Sequence, residues 1–310
     1  MFDRILITGA SGLLGSNLSR QFASGATVIG LYHAHPVRIE GVRLLPCDLT
    51  DYAAIRAIVA ETAPDLVVHC ASRTDVDRME SDPEGAWTAN VLTTRNLVDA
   101  LRDVPGRLVY ISSDSVYPGD CGASREDSVC APRNVYGRTK LEGEEIVLGR
   151  AGSLILRTNI YGWNIQNKMS LGEWFLSRLE RGNPCTGFGD VFFSGIYTRL
   201  FGRALLRCLD LGIGGVYNCA CRDSWTKLAF GRRLAELAGF DPGLVREGRL
   251  VEASLAAERG LDMTLDVSRL EGAFGELLPT MEESLACFVE DWRKNASGAL
   301  RAEMLQVPEV

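Results

Sequence analysis

Tyr136 and Lys140 are the pair of side chains whose types and spacing most directly suggest chemistry. They lie four residues apart in the run Asn134-Val-Tyr-Gly-Arg-Thr-Lys140, so on a helix they would share one face. A lysine ammonium beside a phenol stabilises the phenolate. A tyrosine tuned in this way can pass a proton to or from a carbonyl or hydroxyl oxygen near neutral pH. The same spacing is frequent on solvated helix faces, so the pair needs support from the rest of the chain.

Length, charge and apolar patterning restrict the class of protein. A chain of 310 residues can bury a substantial core as one large domain or as two unequal ones. The net charge of −7 and the pI near 5.2 argue against a general nucleic-acid surface. No apolar run approaches the ~18 residues of a membrane span, and Asp3 does not suit the basic start of a signal peptide. We therefore expect a cytoplasmic protein that binds neither nucleic acid nor membrane.

The cysteines and histidines do not form a metal-binding pattern. The nine cysteines are odd in number and irregularly spaced, and no two of them form a CxxC pair. The three histidines are His33, His35 and His69, which are too few and too scattered for a zinc site. We expect no metal, and we expect reduced thiols packed as small apolar side chains in a cytosolic protein.

Strand-like and helix-like runs alternate through the first half of the chain. This alternation is typical of βαβ units and predicts an α/β fold, a Rossmann-type doubly wound parallel sheet. The predicted strands are 4–8, 26–32, 42–46, 65–70, 107–112 and 153–158, and the predicted helices are 13–23, 52–62, 83–101 and 134–148.

After residue 158 the alternation ends. Residues 161–199 show one helix-like run at 171–181, and a helix at 200–211 with a strand at 215–218 resembles a last return to the sheet. Residues 222–300 are predicted to be mainly helical, with a strand candidate at 263–266. We therefore predict a dinucleotide-binding domain from 1–160 and 200–220. A smaller, interleaved C-terminal substrate domain is predicted from 161–199 and 221–310.

Three glycines follow the first predicted strand and open a helix. Gly9, Gly12 and Gly15 form a GxxGxxG run in this strand–turn–helix context, which is the context that a dinucleotide site requires. The first two allow a tight turn that approaches a pyrophosphate, and the third allows the helix to pack on the sheet. The helix N-terminus stabilises phosphate charge.

The end of the second predicted strand suggests which dinucleotide binds. An NAD site usually carries an acid there for the ribose 2′-hydroxyl, but the run from Leu31 has no carboxylate before Glu40. His33, His35 and Arg38 could instead attract a 2′-phosphate. We predict a preference for NADP(H), with NAD(H) as the alternative.

Together, the glycine run Thr8-Gly-Ala-Ser-Gly-Leu-Leu-Gly15, the run Ser112-Ser-Asp-Ser-Val-Tyr117 and the Tyr136/Lys140 pair resemble an extended short-chain dehydrogenase/reductase. The sequence is most similar to the dTDP-4-dehydrorhamnose reductase-like branch, through residues 74–80, Leu156-Arg-Thr-Asn159 and residues 265–270. The resemblance implies that Ser113 hydrogen-bonds the reacting oxygen and that Tyr136 donates a proton to a ketone. Lys140 is implied to lower the tyrosine pKa and to hold the nicotinamide ribose.

The turn and the resemblance together predict a cofactor site. Asp48 matches an acidic contact to the adenine ring, and Asn90 matches an asparagine that steadies the active-site helix. The predicted cofactor-binding residues are Gly9, Ser11, Gly12, Leu13, Leu14, Gly15, His33, Arg38, Asp48, Leu49, Cys70, Ala71, Ser72, Asn90, Tyr136 and Lys140.

Ser115 argues against two reactions of this family, the elimination of water and epimerisation by a cysteine. In nucleotide-sugar 4,6-dehydratases the matching position is a glutamate that assists elimination of water, and in the GDP-fucose synthase branch it is a cysteine used for epimerisation. A serine hydroxyl is much harder to ionise than either. The predicted substrate-binding residues are Ser113, Asp114, Ser115, Asn159, Trp163 and Arg199. The run Ser194-Gly-Ile-Tyr-Thr-Arg199 lacks a proline and an acid that are common in this branch, which weakens transfer of the rhamnose-pathway substrate.

The sequence thus predicts NADP(H)-dependent reduction of a nucleotide-linked 4-keto-(6-deoxy)sugar by a serine, a tyrosine and a lysine, in a protein that the resemblance implies is a homodimer. Two alternatives stay open. One is a nucleotide-sugar 4-epimerase. The other is a non-catalytic NADP-binding regulatory subunit like the methionine adenosyltransferase β subunit, which belongs to the same branch.

Overall fold

A computed structural model describes residues 2–294. The strands are β1 (Arg4–Thr8), β2 (Thr27–Tyr32), β3 (Val42–Pro46), β4 (Leu66–His69), β5 (Arg107–Ile111), β6 (Leu154–Arg157), β7 (Ile160–Tyr161), β8 (Cys185–Phe188), β9 (Phe192–Phe193), β10 (Ile196–Tyr197), β11 (Gly215–Asn218), β12 (Trp225–Thr226), β13 (Val245–Gly248) and β14 (Asp262–Met263). The helices are α1 (Leu13–Ala23), α2 (Tyr52–Thr62), α3 (Val76–Ser81), α4 (Pro83–Trp87), α5 (Thr93–Ala100), α6 (Val135–Leu148), α7 (Leu171–Leu179), α8 (Thr198–Asp210), α9 (Lys227–Ala238), α10 (Ser268–Phe274) and α11 (Met281–Arg293).

Seven parallel strands form the central sheet, in the order β11-β6-β5-β4-β1-β2-β3. The chain builds outward from β1 to β3 and then crosses to the other side of β1 at β4. Ligands of such sheets bind at this reversal, beyond the carboxyl ends of the strands. The predicted Rossmann-type doubly wound sheet is therefore confirmed.

Side chains of alternate residues face opposite sides of the sheet. In β1, Ile5 and Ile7 pack in a core with α1 and α8, whereas Leu6 packs in a second core with α2 and α5. These strands are buried on both faces, which explains why they read as continuous apolar runs rather than as alternating ones.

The predicted helix 83–101 was only partly right. It consists of α4 and α5 joined by a turn of π-helix at Thr88–Leu92, and α3 precedes it without having been predicted. Six strands in the second half were also missed, namely β7, β8, β9, β10, β12 and β13. Four of them have only two residues, which is too short to show a period. The strand candidate at 263–266 corresponds to β14, and Leu265 forms an isolated bridge with Ser124.

A smaller layer covers the carboxyl end of the sheet. Within it, β8 pairs with β13, and β9 lies between β12 and β14. Phe230, Phe288 and Tyr161 pack ring against ring beneath these strands. As predicted for residues 215–218, β11 returns to the edge of the sheet beside β6. The division into two interleaved domains stays a prediction, and residues 295–310 lie outside the described part of the chain.

Within residues 2–294, no helix is long and apolar enough to cross a membrane. All nine cysteines are free thiols. This part of the chain holds no group of three or more His, Cys, Asp or Glu side chains suited to a metal ion.

Candidate active site

The glycine turn between β1 and α1 is closely packed. Gly9 has φ of +65°, and a Cβ atom there would lie 2.7 Å from backbone atoms of Ala71, at the end of β4. A Cβ at Gly15 would collide with the carbonyl oxygen of Gly9. Gly12 precedes α1 and provides no side-chain cap, so the backbone N–H groups at this helix N-terminus are available to an anion. The turn therefore fits the pyrophosphate of a dinucleotide.

This turn opens into a cleft of about 1290 Å³, above the range of roughly 300–1,000 Å³ that is usual for drug-sized ligands. Ten of the predicted cofactor residues line it: Gly9, Ser11, Gly12, Leu13, His33, Asp48, Leu49, Cys70, Ala71 and Ser72. Leu14 and Gly15 are buried beneath the turn. Arg38 is exposed and does not line the cleft.

At the ends of β2 and β3, His33 and Asp48 face each other across 3.7 Å. The backbone N–H and the hydroxyl of Thr50 donate to the Asp48 carboxylate at 2.9 and 2.8 Å. These hydrogen bonds lower the pKa of Asp48. Asp48 is thus a fixed hydrogen-bond acceptor at the rim of the cleft. His33 lines the cleft beside it and could contact a phosphate.

A chain of buried hydrogen bonds connects the turn to the interior. Ala71 N–H donates to the Thr8 hydroxyl, which lies 2.6 Å from Nδ1 of His69. On the other side, Nε2 of His69 lies 3.0 Å from the Thr94 hydroxyl, which donates to the Asn90 carbonyl. Since that hydroxyl proton is used, Nε2 must be the donor and Nδ1 the acceptor. Burial lowers the pKa of His69 to about 3, so the ring is neutral and fixes strand ends rather than titrating.

Asn90 lies in the π-helical turn and connects the cleft to α6. Its Oδ1 accepts from the Arg73 N–H at 2.7 Å, and its Nδ2 donates to the Thr139 hydroxyl at 2.9 Å. Thr139 precedes Lys140 in α6. This placement supports the steadying role that the resemblance implied, and the π-turn is a feature often found at functional sites.

Ser113 lies close enough to Tyr136 for its side chain to lower the pKa of the tyrosine by hydrogen bonding. Ser113 lies just beyond β5, where its Oγ also accepts from Ser115 N–H at 3.2 Å and donates to Asp114 at 2.9 Å. Burial raises the pKa of Tyr136 to about 12, while the bond to Ser113 opposes that change. Tyr136 is therefore protonated at neutral pH.

Lys140 is buried, with 2% of its surface exposed, and its ammonium lies 4.1 Å from the ring centre of Tyr110. Burial lowers its pKa to about 7, although the charge of Glu144 acts in the opposite direction. The lowering of the Tyr136 pKa by Lys140 stays a prediction, because it requires Lys140 to carry its charge.

Helix α6 is held at its start by contacts with two other segments. At its start, Asn134 Oδ1 accepts from Gly137 N–H at 2.8 Å, and Glu80 accepts from Val135 N–H. Gly137 has no side chain to separate the helix from the Ser115 carbonyl, with which a Cβ would collide. The close contact brings α6 to the loop that carries Ser113.

One turn after Lys140, Glu144 forms a buried ion pair with Arg157 of β6 at 2.7 Å. Arg157 also donates to the Tyr117 hydroxyl at 2.7 Å and to the Glu126 carbonyl at 3.3 Å. A guanidinium suits this site because its fork can satisfy several acceptors at once. Glu144 was not among the predicted residues, and its spacing of four from Lys140 was the signal that could have identified it.

A second pocket, of about 180 Å³, lies beside Ser113 and Tyr136. Three predicted substrate residues, Asp114, Ser115 and Asn159, line it. Asn159 Nδ2 donates to Asp114 at 2.5 Å, and Ser115 Oγ donates to the same carboxylate at 3.2 Å. Burial raises the pKa of Asp114, against the effect of these hydrogen bonds. The pocket is polar on this side and suits a hydroxylated ligand.

Three predicted substrate residues do not line this pocket. Ser113 is buried, and its neighbours Asp114 and Ser115 line the pocket instead. Trp163 is buried in the core and stacks on Phe288 with ring centres 4.2 Å apart. Arg199 pairs with Asp291 at 2.7 Å and lies over the ring of Tyr197. Both side chains stabilise the packing of the smaller layer, so their residue types gave a misleading signal.

Lys227, Arg133 and Arg259 also line the pocket, and none of them was predicted. They come from segments far apart in the chain, and no spacing in the sequence connects them to Ser113.

Comparisons of sequence and of fold find similar proteins over nearly the whole chain. A family model described as RmlD substrate binding domain matches residues 3–294. The chain is 32% identical over 286 residues to a probable low-salt glycan biosynthesis reductase of Haloferax volcanii, covering 90% of this chain and 95% of that protein. It is 30% identical over 309 residues to methionine adenosyltransferase 2 subunit beta of Pongo abelii, covering 94% and 90%. A crystal structure of a dTDP-4-dehydrorhamnose reductase from Clostridium acetobutylicum superposes with a TM-score of 0.81 at 25% identity, covering 94% and 99%.

Proposed function

The chain belongs to the RmlD substrate binding domain family within the extended short-chain dehydrogenases/reductases, and on that premise we propose that it reduces a nucleotide-linked 4-keto-6-deoxy sugar with NADPH. One observation carries the proposal. Ser113 directly precedes Asp114 and Ser115, which line the small polar pocket, and its side chain acts on Tyr136. Lys140 interacts electrostatically with Cys70, which lines the dinucleotide-sized cleft. The reductase names among its relatives agree with this activity.

The protein side of the reaction follows from these positions. NADPH, when bound in the cleft, would supply the hydride. Tyr136 then donates its proton to the ketone oxygen, which it can do because it is protonated at neutral pH. Lys140, when charged, stabilises the resulting phenolate. Ser113 holds the oxygen beside Tyr136, so that charge developing there meets a placed donor.

Residues for the cofactor are assigned by the same proposal. The N-terminus of α1, with Gly9, Ser11 and Gly12, would hold the pyrophosphate, and Asp48 would accept from the adenine. NADP(H) is preferred over NAD(H) because His33 and His35, rather than an acid, follow β2 and line the cleft. A homodimer and a cytoplasmic location stay predictions from the sequence.

The test is a screen of NADPH oxidation with dTDP-, UDP- and GDP-linked 4-keto sugars, with the sugar product identified by NMR. We expect turnover with at least one of them by the wild type and none by Tyr136→Phe. Tight NADPH binding without turnover of any sugar would instead favour the regulatory-subunit alternative. Retention of NAD⁺ through purification, with interconversion of 4-epimers, would favour the epimerase.

A further inference from the structure

The pocket beside Ser113 is rich in cations although the protein is acidic. Four charged side chains line it, namely Asp114, Arg133, Lys227 and Arg259, while the net charge of the chain is −7. The three cations come from different segments, and all three reach this one pocket of about 180 Å³. The lining thus has a local positive excess.

The two arginines already have carboxylate partners. Arg259 pairs with Asp77 at 2.7 Å, and Arg133 pairs with Asp120 and Glu258. None of these three acids lines the pocket. The arginines are therefore held in place by carboxylates that do not themselves line the pocket.

Lys227 is different. It is the first residue of α9, and its ammonium lies 3.9 Å from the ring centre of Phe193, which fixes its position by a cation–π contact. Among residues 2–294, no carboxylate forms an ion pair with Lys227. The nearest acid in electrostatic terms is Asp114. Lys227 is half-buried, and a cation that is partly withdrawn from water is costly unless something pairs with it.

Asp114 does not fill that role by direct contact. Its two oxygens accept hydrogen bonds from Asn159 at 2.5 Å, from Ser113 at 2.9 Å and from Ser115 at 3.2 Å. These donors occupy three of the roughly four lone-pair sites of the carboxylate, and among the described residues no hydrogen bond or ion pair joins the Lys227 ammonium to Asp114. The ammonium donors of Lys227 therefore remain available to a ligand in the pocket.

We propose that Lys227 binds an oxyanion of the substrate in this pocket, with Arg133 and Arg259 adding positive potential around it. The inference rests on the proposed function, since it places this group on the nucleotide sugar that Ser113 and Tyr136 would reduce. Two parts of such a substrate share the chemistry: the diphosphate and a carboxylate on the sugar ring. Lys227 thus selects substrates by charge, and Tyr136 acts on their ketone.

The test measures binding rather than turnover, so that it is separate from the proposed reaction. Calorimetric titrations use inorganic pyrophosphate, dTDP, UDP, UDP-glucose and UDP-glucuronic acid, each at up to millimolar concentration. The variants are Lys227→Met, which keeps an unbranched side chain over Phe193, and Lys227→Arg, which keeps the charge. Lys294→Met is the matched control, because Lys294 is exposed and pairs only with Glu290 among the described residues.

We expect Lys227→Met to raise the dissociation constant of the bound probe roughly 10- to 100-fold, as the loss of a charge-assisted hydrogen bond does. Lys227→Arg should recover most of the affinity, and NADPH should bind all variants equally. A loss shared by pyrophosphate, dTDP and UDP identifies the diphosphate. A loss for UDP-glucuronic acid that UDP-glucose does not show identifies a sugar carboxylate.

Two outcomes would overturn the inference. One is that the wild type binds none of the probes. The other is that Lys227→Met binds the probes with unchanged affinity. If the pH dependence of turnover also shifts in that variant, Lys227 is a counter-charge for Asp114. A failed NADPH-oxidation screen with normal Lys227-dependent anion binding would reject the proposed reaction and leave the anion site in place.

Discussion

The cleft beside the glycine turn, proposed for the cofactor, and the pocket beside Asp114, proposed for the substrate, are built differently. The cleft is made mainly from the carboxyl ends of parallel strands and the glycine turn, where backbone groups do much of the binding. The pocket is made from side chains that come from α9, from β9, from β14 and from the loop after β5. Backbone sites depend on fold and short motifs, whereas side-chain sites depend on which residues distant segments happen to present. Cofactor binding and sugar binding should therefore respond to different substitutions.

The largest expected effect is a loss of the chemical step that leaves binding at both sites nearly unchanged. Tyr136→Phe removes the proton donor and should lower kcat by roughly 10²- to 10⁴-fold. The dissociation constant of NADPH should stay nearly unchanged. Stopped-flow turnover and NADPH fluorescence titration measure the two quantities, and Tyr52→Phe, at an exposed position, is the control. Retained turnover would remove Tyr136 from its role.

The next substitution affects only the cleft. Gly15→Ala places a Cβ against the Gly9 carbonyl oxygen, and overpacking of this kind costs about 1–3 kcal/mol. We expect NADPH to bind at least roughly tenfold more weakly, since the turn must shift. Gly25→Ala is the control, because a Cβ there meets nothing within 4 Å. If Gly15→Ala weakened nucleotide binding to the substrate pocket by the same factor, the two regions would not be independent.

The pH dependence of reduction should follow Lys140. Its pKa is lowered by burial to about 7, so the ammonium loses its proton as the pH rises through that value. The phenolate of Tyr136 then lacks a stabilising charge, and kcat/KM should fall by roughly tenfold per pH unit above the inflection. Tyr136 itself stays protonated, since its pKa is about 12.

Anion binding in the pocket should depend on pH differently from reduction. Burial lowers the pKa of Lys227 to about 8, although Asp114 raises it. Pyrophosphate affinity should therefore persist about one pH unit above the inflection in kcat/KM. Coincident inflections in the two profiles would contradict the assignment of separate titrating groups.

The smallest effect concerns cofactor preference. His33→Ala should weaken NADPH binding by up to about fivefold, in line with the modest worth of exposed charge contacts, and should leave NADH binding unchanged. Paired titrations with both cofactors measure the difference. Tighter binding of NADH than of NADPH by the wild type would reject the NADP(H) preference itself.

Sequence reasoning recovered the parts of the molecule that depend on local rules. The parallel sheet follows from alternating periods, and the turn at Gly9–Gly15 follows from spacing after a strand. Short motifs predict Ser113, Tyr136 and Lys140 as reacting residues, and the structure places Ser113 just after β5 and the other two on α6.

The substrate side could not be predicted in the same way. Trp163 and Arg199 have the residue types of a binding site, but the tertiary structure uses them for ring stacking and for an ion pair. No local sequence pattern identifies Lys227, because its position in the pocket depends on two-residue strands that bring Phe193 beneath it. Such strands form only when the whole layer folds.

Arg157 suggests how enzymes of this architecture acquire new substrates. Its guanidinium joins β6 to α6 through Glu144 and to the segment after β5 through Tyr117, and none of these contacts involves α9 or β9. The reacting side chains are thus anchored to the sheet, while the wall with Lys227 and Phe193 belongs to another layer. Mutations in that wall can accumulate without displacing the proton donor. We therefore expect relatives of this chain to differ in sugar preference while they keep the same reaction.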